Sequence, residues 1–186
     1  MEAKDYFKFK KAKKTLLVLG GSLGSRRINE LIEAKLVFFK KNNIRLIWQC
    51  GQLYLDDYVK YNTSSDIKVV SFIERMDYAY AIADFIISRS GASAVSELCV
   101  VGKPVVFIPS PNVAEDHQTK NAAAISKKDA ALLISEDSLD EMFENEFTKL
   151  LNSQKIQNKL QVNLKKIART SATELIVEEI TKLLDS

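Results

Sequence analysis

Ser88-Arg89-Ser90-Gly91-Ala92-Ser93, with Glu97 a turn further on, sets small residues, hydroxyls and a carboxylate where an anion and a diol can be held side by side. The apolar run Ala83 to Ile87 before it, and the helical pattern ending near Gly102 after it, predict a strand feeding a helix through a small-residue turn. The first amides of such a helix have no partners within it, and the helix dipole favours negative charge there. Gly91 and Ala92 let a ligand approach the backbone, and phosphate is the obvious occupant. Helical side chains lean toward the N-terminus, so the Glu97 carboxylate can reach back beside Ser93, where it suits a sugar diol. The same residues also fit an ordinary strand-to-helix turn with Glu97 in solvent, so the other segments must decide.

Gly20-Gly21-Ser22-Leu23-Gly24-Ser25 is a second candidate phosphate contact. It follows the apolar run Thr15 to Leu19 and presents backbone amides and the Ser22 hydroxyl. It is not a dinucleotide fingerprint, because Ser22 and Ser25 stand where GxGxxG needs glycines, and no GK[ST] closes it as a P-loop. Phe72-Ile73, leaving the carboxyl end of a strand, suit the wall of a base pocket and equally suit core packing. His117 is the only histidine. Beside Gln118 at a helix start it can hydrogen-bond sugar hydroxyls, and it can equally be a capping residue. Asp56-Asp57, followed by Lys60, reads as surface charge, and no metal site is assigned.

These residues must be positioned by alternating elements. Thr15 to Leu19, Ile44 to Cys50, Ile67 to Phe72, Ala83 to Ile87, Val105 to Ile108 and Ala131 to Ile134 are apolar runs of strand length. Helical patterns separate them: Ile28, Leu31, Ile32, Leu36 and Phe39; a short stretch over Tyr54 to Tyr61; Asp77 to Ala83; Ala92 to Gly102; and the segment from His117. From Ser138 onward the pattern is helical throughout, with stripes that face a core or a partner. The expectation is an α/β, Rossmann-like doubly wound parallel sheet with a helical C-terminal tail, its ligand edge at the loops after Leu19, Ser71, Ser88 and Ile108.

With 186 residues, 46% hydrophobic and 27% charged, the chain can bury a core without staples. Cys50 and Cys99 lie in apolar segments without CxxC spacing, which suits buried thiols in a reducing compartment. A net charge of +3 implies no nucleic-acid partner. Lys4, Lys8, Lys10, Lys11, Lys13 and Lys14 cluster before the first strand among Tyr6, Phe7 and Phe9. A solvated lead-in is expected there, and contact with anionic lipid is the other reading. With no signal peptide and no apolar run of spanning length, the expected place is the cytoplasm, at most against the membrane surface.

Taken together, the loops resemble the C-terminal donor-binding domain of glycosyltransferase family 28, the bacterial N-acetylglucosaminyltransferases of peptidoglycan synthesis. The resemblance rests on Gly20-Gly21-Ser22-Leu23-Gly24-Ser25-Arg26, Phe72-Ile73, Met76 with Ala79-Tyr80, Ser88 to Ser93 with Glu97-Leu98, Gly102-Lys103-Pro104, and Asp116-His117-Gln118 with Asn121-Ala122, in family order. It implies the C-terminal half of a GT-B enzyme that moves N-acetylglucosamine from UDP-N-acetylglucosamine to the undecaprenyl-pyrophosphoryl-muramoyl-pentapeptide carrier, inverting the anomeric centre with no metal and no other cofactor. By resemblance, the Ile73 backbone recognises uracil and Glu97 the ribose. Ser22 and the backbone from Gly91 through Ala92 to Ser93 meet the diphosphate, and His117 with Gln118 meets the sugar. Gly21, Phe72, Arg89 and Asn121 are supporting positions, with Arg89 either pairing with phosphate or bracing the turn.

The family's general base, acceptor site and membrane contact come from an N-terminal domain that is absent from this sequence. Residues 1–13 read as a basic interdomain connection and 14–186 as the donor domain. The expectation is that this chain binds donor, does not catalyse alone, and self-associates through apolar surface meant for the missing half. In the full-length protein it would work peripherally at the inner face of the cell membrane. Two other readings stand beside this one: a stand-alone donor subunit of a two-subunit lipid-linked N-acetylglucosamine transferase, and a non-catalytic UDP-binding module. A nicotinamide enzyme is disfavoured by the missing fingerprint.

Overall fold

Strands that are apolar along most of their length demand cover on both faces, and the sheet they form here has it. The computed structural model describes residues 2–9 and 13–184. After a short helix α1 (Glu2–Tyr6) the chain runs through β1 (Lys14–Leu19), α2 (Arg26–Ala34), α3 (Leu36–Lys41) and β2 (Ile44–Gln49). Next come α4 (Leu55–Tyr58), flanked by single 3₁₀ segments, then β3 (Ile67–Val70) and α5 (Met76–Ile82). The second half holds β4 (Phe85–Ser88), α6 (Ala92–Val101), β5 (Val105–Phe107), α7 (His117–Ser126) and β6 (Leu132–Leu133). It closes with α8 (Leu139–Asn152), α9 (Gln154–Ile167) and α10 (Ala172–Leu184).

The six strands form one sheet in the order β3-β2-β1-β4-β5-β6, every pairing parallel. The chain winds outward from β1 through β2 to β3, then returns to β4 on the other side of β1. That reversal opens a crevice at the carboxyl ends of β1 and β4, the place where doubly wound sheets take ligands.

Side-chain alternation divides the core into two layers. Leu16, Val18, Leu46, Trp48, Phe85 and Ile87 face α2, α3 and α8, where Phe39, Phe143 and Phe147 form an aromatic cluster. Leu17, Ile47, Ile86 and Phe107 face the other way, onto Ala79 of α5, Leu98 and Cys99 of α6, and Ala122 and Ile125 of α7. Both cysteines are buried free thiols, and burial pushes each thiol up from its ordinary range.

The structure departs from the sequence reading in three places. The helix expected through Phe39 breaks at Lys35, where φ is −100° and ψ 9°, into α2 and α3. The break lets Phe38 as well as Phe39 reach the Phe143–Phe147 cluster. The third strand ends at Val70, so Ser71 and Phe72 leave the sheet.

The expected solvated lead-in is instead packed. Phe7 and Phe9 are buried in the second core layer, stacked with ring centroids 6.0 Å apart, and the Arg45 guanidinium lies 4.4 Å from the Phe9 centroid. Tyr6 meets Tyr78 of α5 edge-on. Three aromatic rings offer more apolar area than the lysines between them can keep in water. Lys13 and Lys14 pair with Asp66 and Asp84 at 2.6 and 3.1 Å. Lys10 and Lys11, and the Lys4 side chain, lie outside the described residues.

Candidate functional site

Four loops converge on the crevice, and their glycines explain how they come so close. Gly21 and Gly24 have φ of +86° and +95°, a region open chiefly to glycine. A Cβ on Gly24 would sit 2.3 Å from the Cys50 carbonyl oxygen, and one on Gly51 2.1 Å from the Gly24 Cα. These two glycines serve backbone contact between the loops after β1 and β2. By contrast, a Cβ on Gly21 or Gly91 would meet nothing within 4 Å, so those two positions face open space.

Gln49 ties the crevice together. It ends β2, whose only other polar side chain is Arg45, donates from Nε2 to the Gly21 carbonyl at 3.1 Å, and accepts the Ile73 N–H on Oε1 at 3.0 Å. The Ile73 side chain is buried and its N–H is therefore taken, while its carbonyl accepts no hydrogen bond among the described residues.

Arg89 braces the turn after β4. Its guanidinium donates to the Ile108 carbonyl at 3.0 Å and to Ser25 Oγ at 2.6 Å, and pairs with Glu136 at 2.5 Å. Ser25 is also the N-cap of α2, accepting the Ile28 N–H. One side chain thus joins the glycine loop, the end of β5 and the segment before α8. Of the two roles open to Arg89 in the sequence, these contacts supply the bracing one.

The turn is then handed to α6 with no cap. Gly91 is the N-cap residue, and no side chain accepts from the first N–H groups of the helix. Those amides are open to an anion. Ala92 and Ser93 are exposed, as is Ser22 across the crevice.

A cleft of about 260 Å³ runs from this tip between α5 and α6. Phe72, Met76 and Tyr80 form one wall and Ala94, Glu97 and Leu98 the other, with Leu19, Gly21, Gln49, Ser88 and Arg89 completing it. The Tyr80 hydroxyl is buried and has no hydrogen-bond partner of good geometry among the described residues. Burial first, and then the facing Glu97 carboxylate, push its phenol far above the ordinary range. A cavity of about 270 Å³ lined by Leu36, Phe39, Ile44 and Ile67, and another of about 520 Å³ beside Lys14, Arg45 and Asp84, open elsewhere. Both sit by the amino ends of the strands, away from the crevice.

On the far side, Ser90 Oγ donates to the Gln118 carbonyl at 2.8 Å and Asn121 Nδ2 to the Ser90 carbonyl at 3.0 Å. These bonds hold the start of α7 against the tip of α6. Gln118 Oε1 accepts the Ser110 N–H at 3.0 Å, which leaves its Nε2 to donate outward. His117 is exposed and its Nδ1 lies 2.9 Å from the Ala114 carbonyl, so the neutral ring keeps its proton there and offers Nε2 as an acceptor. Glu115 and Asp116, just before it, sit at φ of 54° and 51°, two successive non-glycine residues in the left-handed region. Such strain gathers where a loop must aim side chains at a ligand.

Of the residues singled out in the sequence, Gly21, Phe72, Arg89 and Glu97 line the cleft. Gly91, Ala92 and Ser93 lie at its mouth on the tip of α6. Ser22, Ile73, His117, Gln118 and Asn121 do not line it: Ile73 is reached through its backbone, and Asn121 is spent on Ser90. Gln49 was missed; its one signal is a polar side chain ending a mostly apolar strand. Asp56 and Asp57 are exposed on α4. Among the described residues no three His, Cys, Asp or Glu side chains gather as metal ligands.

Residues 15–178 match the model of the glycosyltransferase family 28 C-terminal domain. A protein of Flavobacterium psychrophilum named UDP-N-acetylglucosamine–N-acetylmuramyl-(pentapeptide) pyrophosphoryl-undecaprenol N-acetylglucosamine transferase is 55% identical over 185 residues, covering 100% of this chain and 50% of that protein. Its namesake from Christiangramia forsetii is 57% identical over 185 residues, again covering 100% of this chain and 50% of the relative. The crystal structure of Acinetobacter baumannii MurG superposes with a TM-score of 0.81 at 28% identity, over 97% of this chain and 53% of that one. The chain spans about half the length of the curated relatives it matches.

Proposed function

Given that the chain belongs to the glycosyltransferase family 28 C-terminal domain family, we propose that it is the donor-binding half of an inverting N-acetylglucosaminyltransferase. The donor is UDP-N-acetylglucosamine and the acceptor the undecaprenyl-pyrophosphoryl-muramoyl-pentapeptide carrier, as the names of its relatives indicate. The observation that carries the reading is the uncapped tip of α6 with Glu97 further along the same helix, both opening on one cleft at the β1–β4 crevice.

In this reading the uracil lies against Phe72 and Met76, and the free Ile73 carbonyl accepts its imide N–H. The Glu97 carboxylate accepts from the ribose diol. The diphosphate sits on the Ala92 and Ser93 amides, opposite Ser22. As the bond to the anomeric carbon breaks, negative charge grows on the departing UDP. Fixed amides at a helix N-terminus stabilise that charge without reorganising, and no metal is needed for the task. His117 Nε2 accepts from a sugar hydroxyl and Gln118 Nε2 donates to another oxygen of the sugar, which orients the anomeric carbon toward the acceptor.

A base must still take the proton from the attacking hydroxyl. No residue of this cleft is assigned that role, which goes to the other half of the full-length protein together with acceptor binding and attachment to the inner face of the cell membrane. The exposed apolar face of α10, including Leu175, Ile176 and Ile180, belongs against that half. With it uncovered, the chain self-associates. The test is to mix the chain with UDP-N-acetylglucosamine and the lipid acceptor. Binding without turnover is expected, whereas turnover would overturn the reading and favour a stand-alone subunit.

A further inference from the structure

Tyr80 carries a hydroxyl that its fold does not use. The residue lies on α5 next to the fully buried Ala79, and its ring packs against the second core layer. Its Oη is buried and makes no hydrogen bond of good geometry among the described residues. A phenylalanine would fill the same space without stripping water from a polar group, and an unpaired buried hydroxyl lowers stability. The hydroxyl therefore calls for a partner across the cleft it borders.

That partner is at hand. Tyr80 and Glu97 line the same cleft from opposite walls. The Glu97 carboxylate faces the phenol closely enough to hold its proton on, after burial itself, while no hydrogen bond of good geometry joins them. Glu97 is exposed and its carboxylate makes no ion pair or well-formed hydrogen bond among the described residues, so its rotamer is free to turn. An ionised carboxylate has about four acceptor sites, and a cis-diol occupies two.

We propose that Tyr80 is a positioning residue for donor recognition: its hydroxyl donates to the Glu97 carboxylate and turns it so that the remaining acceptor sites meet the two ribose hydroxyls. The inference rests on the reading of Glu97 as the ribose contact. It makes Tyr80 act through Glu97 and not on the ligand, and it explains why a tyrosine stands where packing alone asks for phenylalanine. Closure of this bond on a bound diol also makes recognition of the ribose cooperative, since each hydrogen bond polarises the next.

The experiment is a double-mutant cycle on the whole chain with Tyr80→Phe, Glu97→Ala and the pair. It is read by calorimetric titration with UDP and with 2′-deoxy-UDP, and by thermal unfolding without ligand. Tyr80→Phe should unfold no earlier than the parent chain, because it removes an unsatisfied group, yet bind UDP about tenfold more weakly. The double variant should bind no more weakly than Glu97→Ala, and 2′-deoxy-UDP, which lacks the diol, should lose most of the dependence on Tyr80. Parent-like UDP affinity in Tyr80→Phe overturns the proposal. So does an equal loss in the Glu97→Ala background, which would mean that Tyr80 touches the ligand itself. Failure of the underlying reading looks different: the parent chain does not bind UDP, or Glu97→Ala binds it unchanged.

Discussion

Arg89 shows how much a single residue's role depends on its neighbours. An arginine beside a phosphate-binding turn invites an ion pair with the ligand, but three partners from three segments already hold this one. The Glu136 carboxylate that it meets is mostly buried, and an uncompensated charge there is costly. Arg89→Met should therefore destabilise the chain by about 3 kcal/mol in urea unfolding, and adding Glu136→Gln should recover part of the loss. The placement of Glu97 and the Gly91 to Ser93 backbone at the start of α6 was legible because its geometry is local: a small-residue turn, a helix start and a carboxylate further along the helix. The partners of Arg89 and the bridging role of Gln49 were not, because Glu136, Ile108, Gly21 and Ile73 come from distant stretches that only the folded sheet brings together. His117 lies between these cases, its position set by the helix start and its tautomer by the Ala114 carbonyl.

Elements were easier to read than their boundaries. Strands buried on both faces leave continuous apolar runs, and all six appear where those runs do. Lys35 breaks a helix without any glycine or proline to announce it, and Ser71 and Phe72 peel from β3 although their pattern continues the strand. The lead-in was misread for a physical reason: lysines dominate its composition, but Phe7 and Phe9 dominate its energetics. Both rings sit in the layer that also holds Ile73 and Ala79, against which Met76 of the cleft wall packs. Phe7→Ala should lower stability by about 3 kcal/mol, measured by denaturant unfolding. A solvated lead-in would show a change near zero. The α5 wall should loosen with it, because α1 packs on α5.

At the scale of the whole molecule the doubly wound order sets everything else. Reversal of the chain between β3 and β4 places the β1 and β4 loops side by side, and the two glycine-containing turns meet there as a consequence of topology. The tail divides into parts with different tasks. Helices α8 and α9 cover the core with Phe143, Phe147, Leu160 and Leu164, whereas every residue of α10 is exposed. Sedimentation should therefore find concentration-dependent association, and Ile176→Glu with Ile180→Glu should abolish it while leaving ligand affinity unchanged. Nothing in the sequence distinguished α10 from its two predecessors, since all three carry similar apolar stripes and only packing tells them apart.

The proposed donor site, in which the cleft beside the α6 tip holds a uridine diphosphate sugar through Glu97, can be measured in solution. Calorimetric titration of this chain with UDP-N-acetylglucosamine, UDP-glucose and UDP, in parallel with Glu97→Ala, tests it directly. Removing a charged hydrogen bond to the ribose should cost about 1.5 to 3 kcal/mol, roughly ten- to a hundredfold in affinity. Preference for the N-acetyl sugar is expected, with a loss of that size for all three ligands in Glu97→Ala. Equal affinity of the parent chain and Glu97→Ala, or no preference among the sugars, would contradict it.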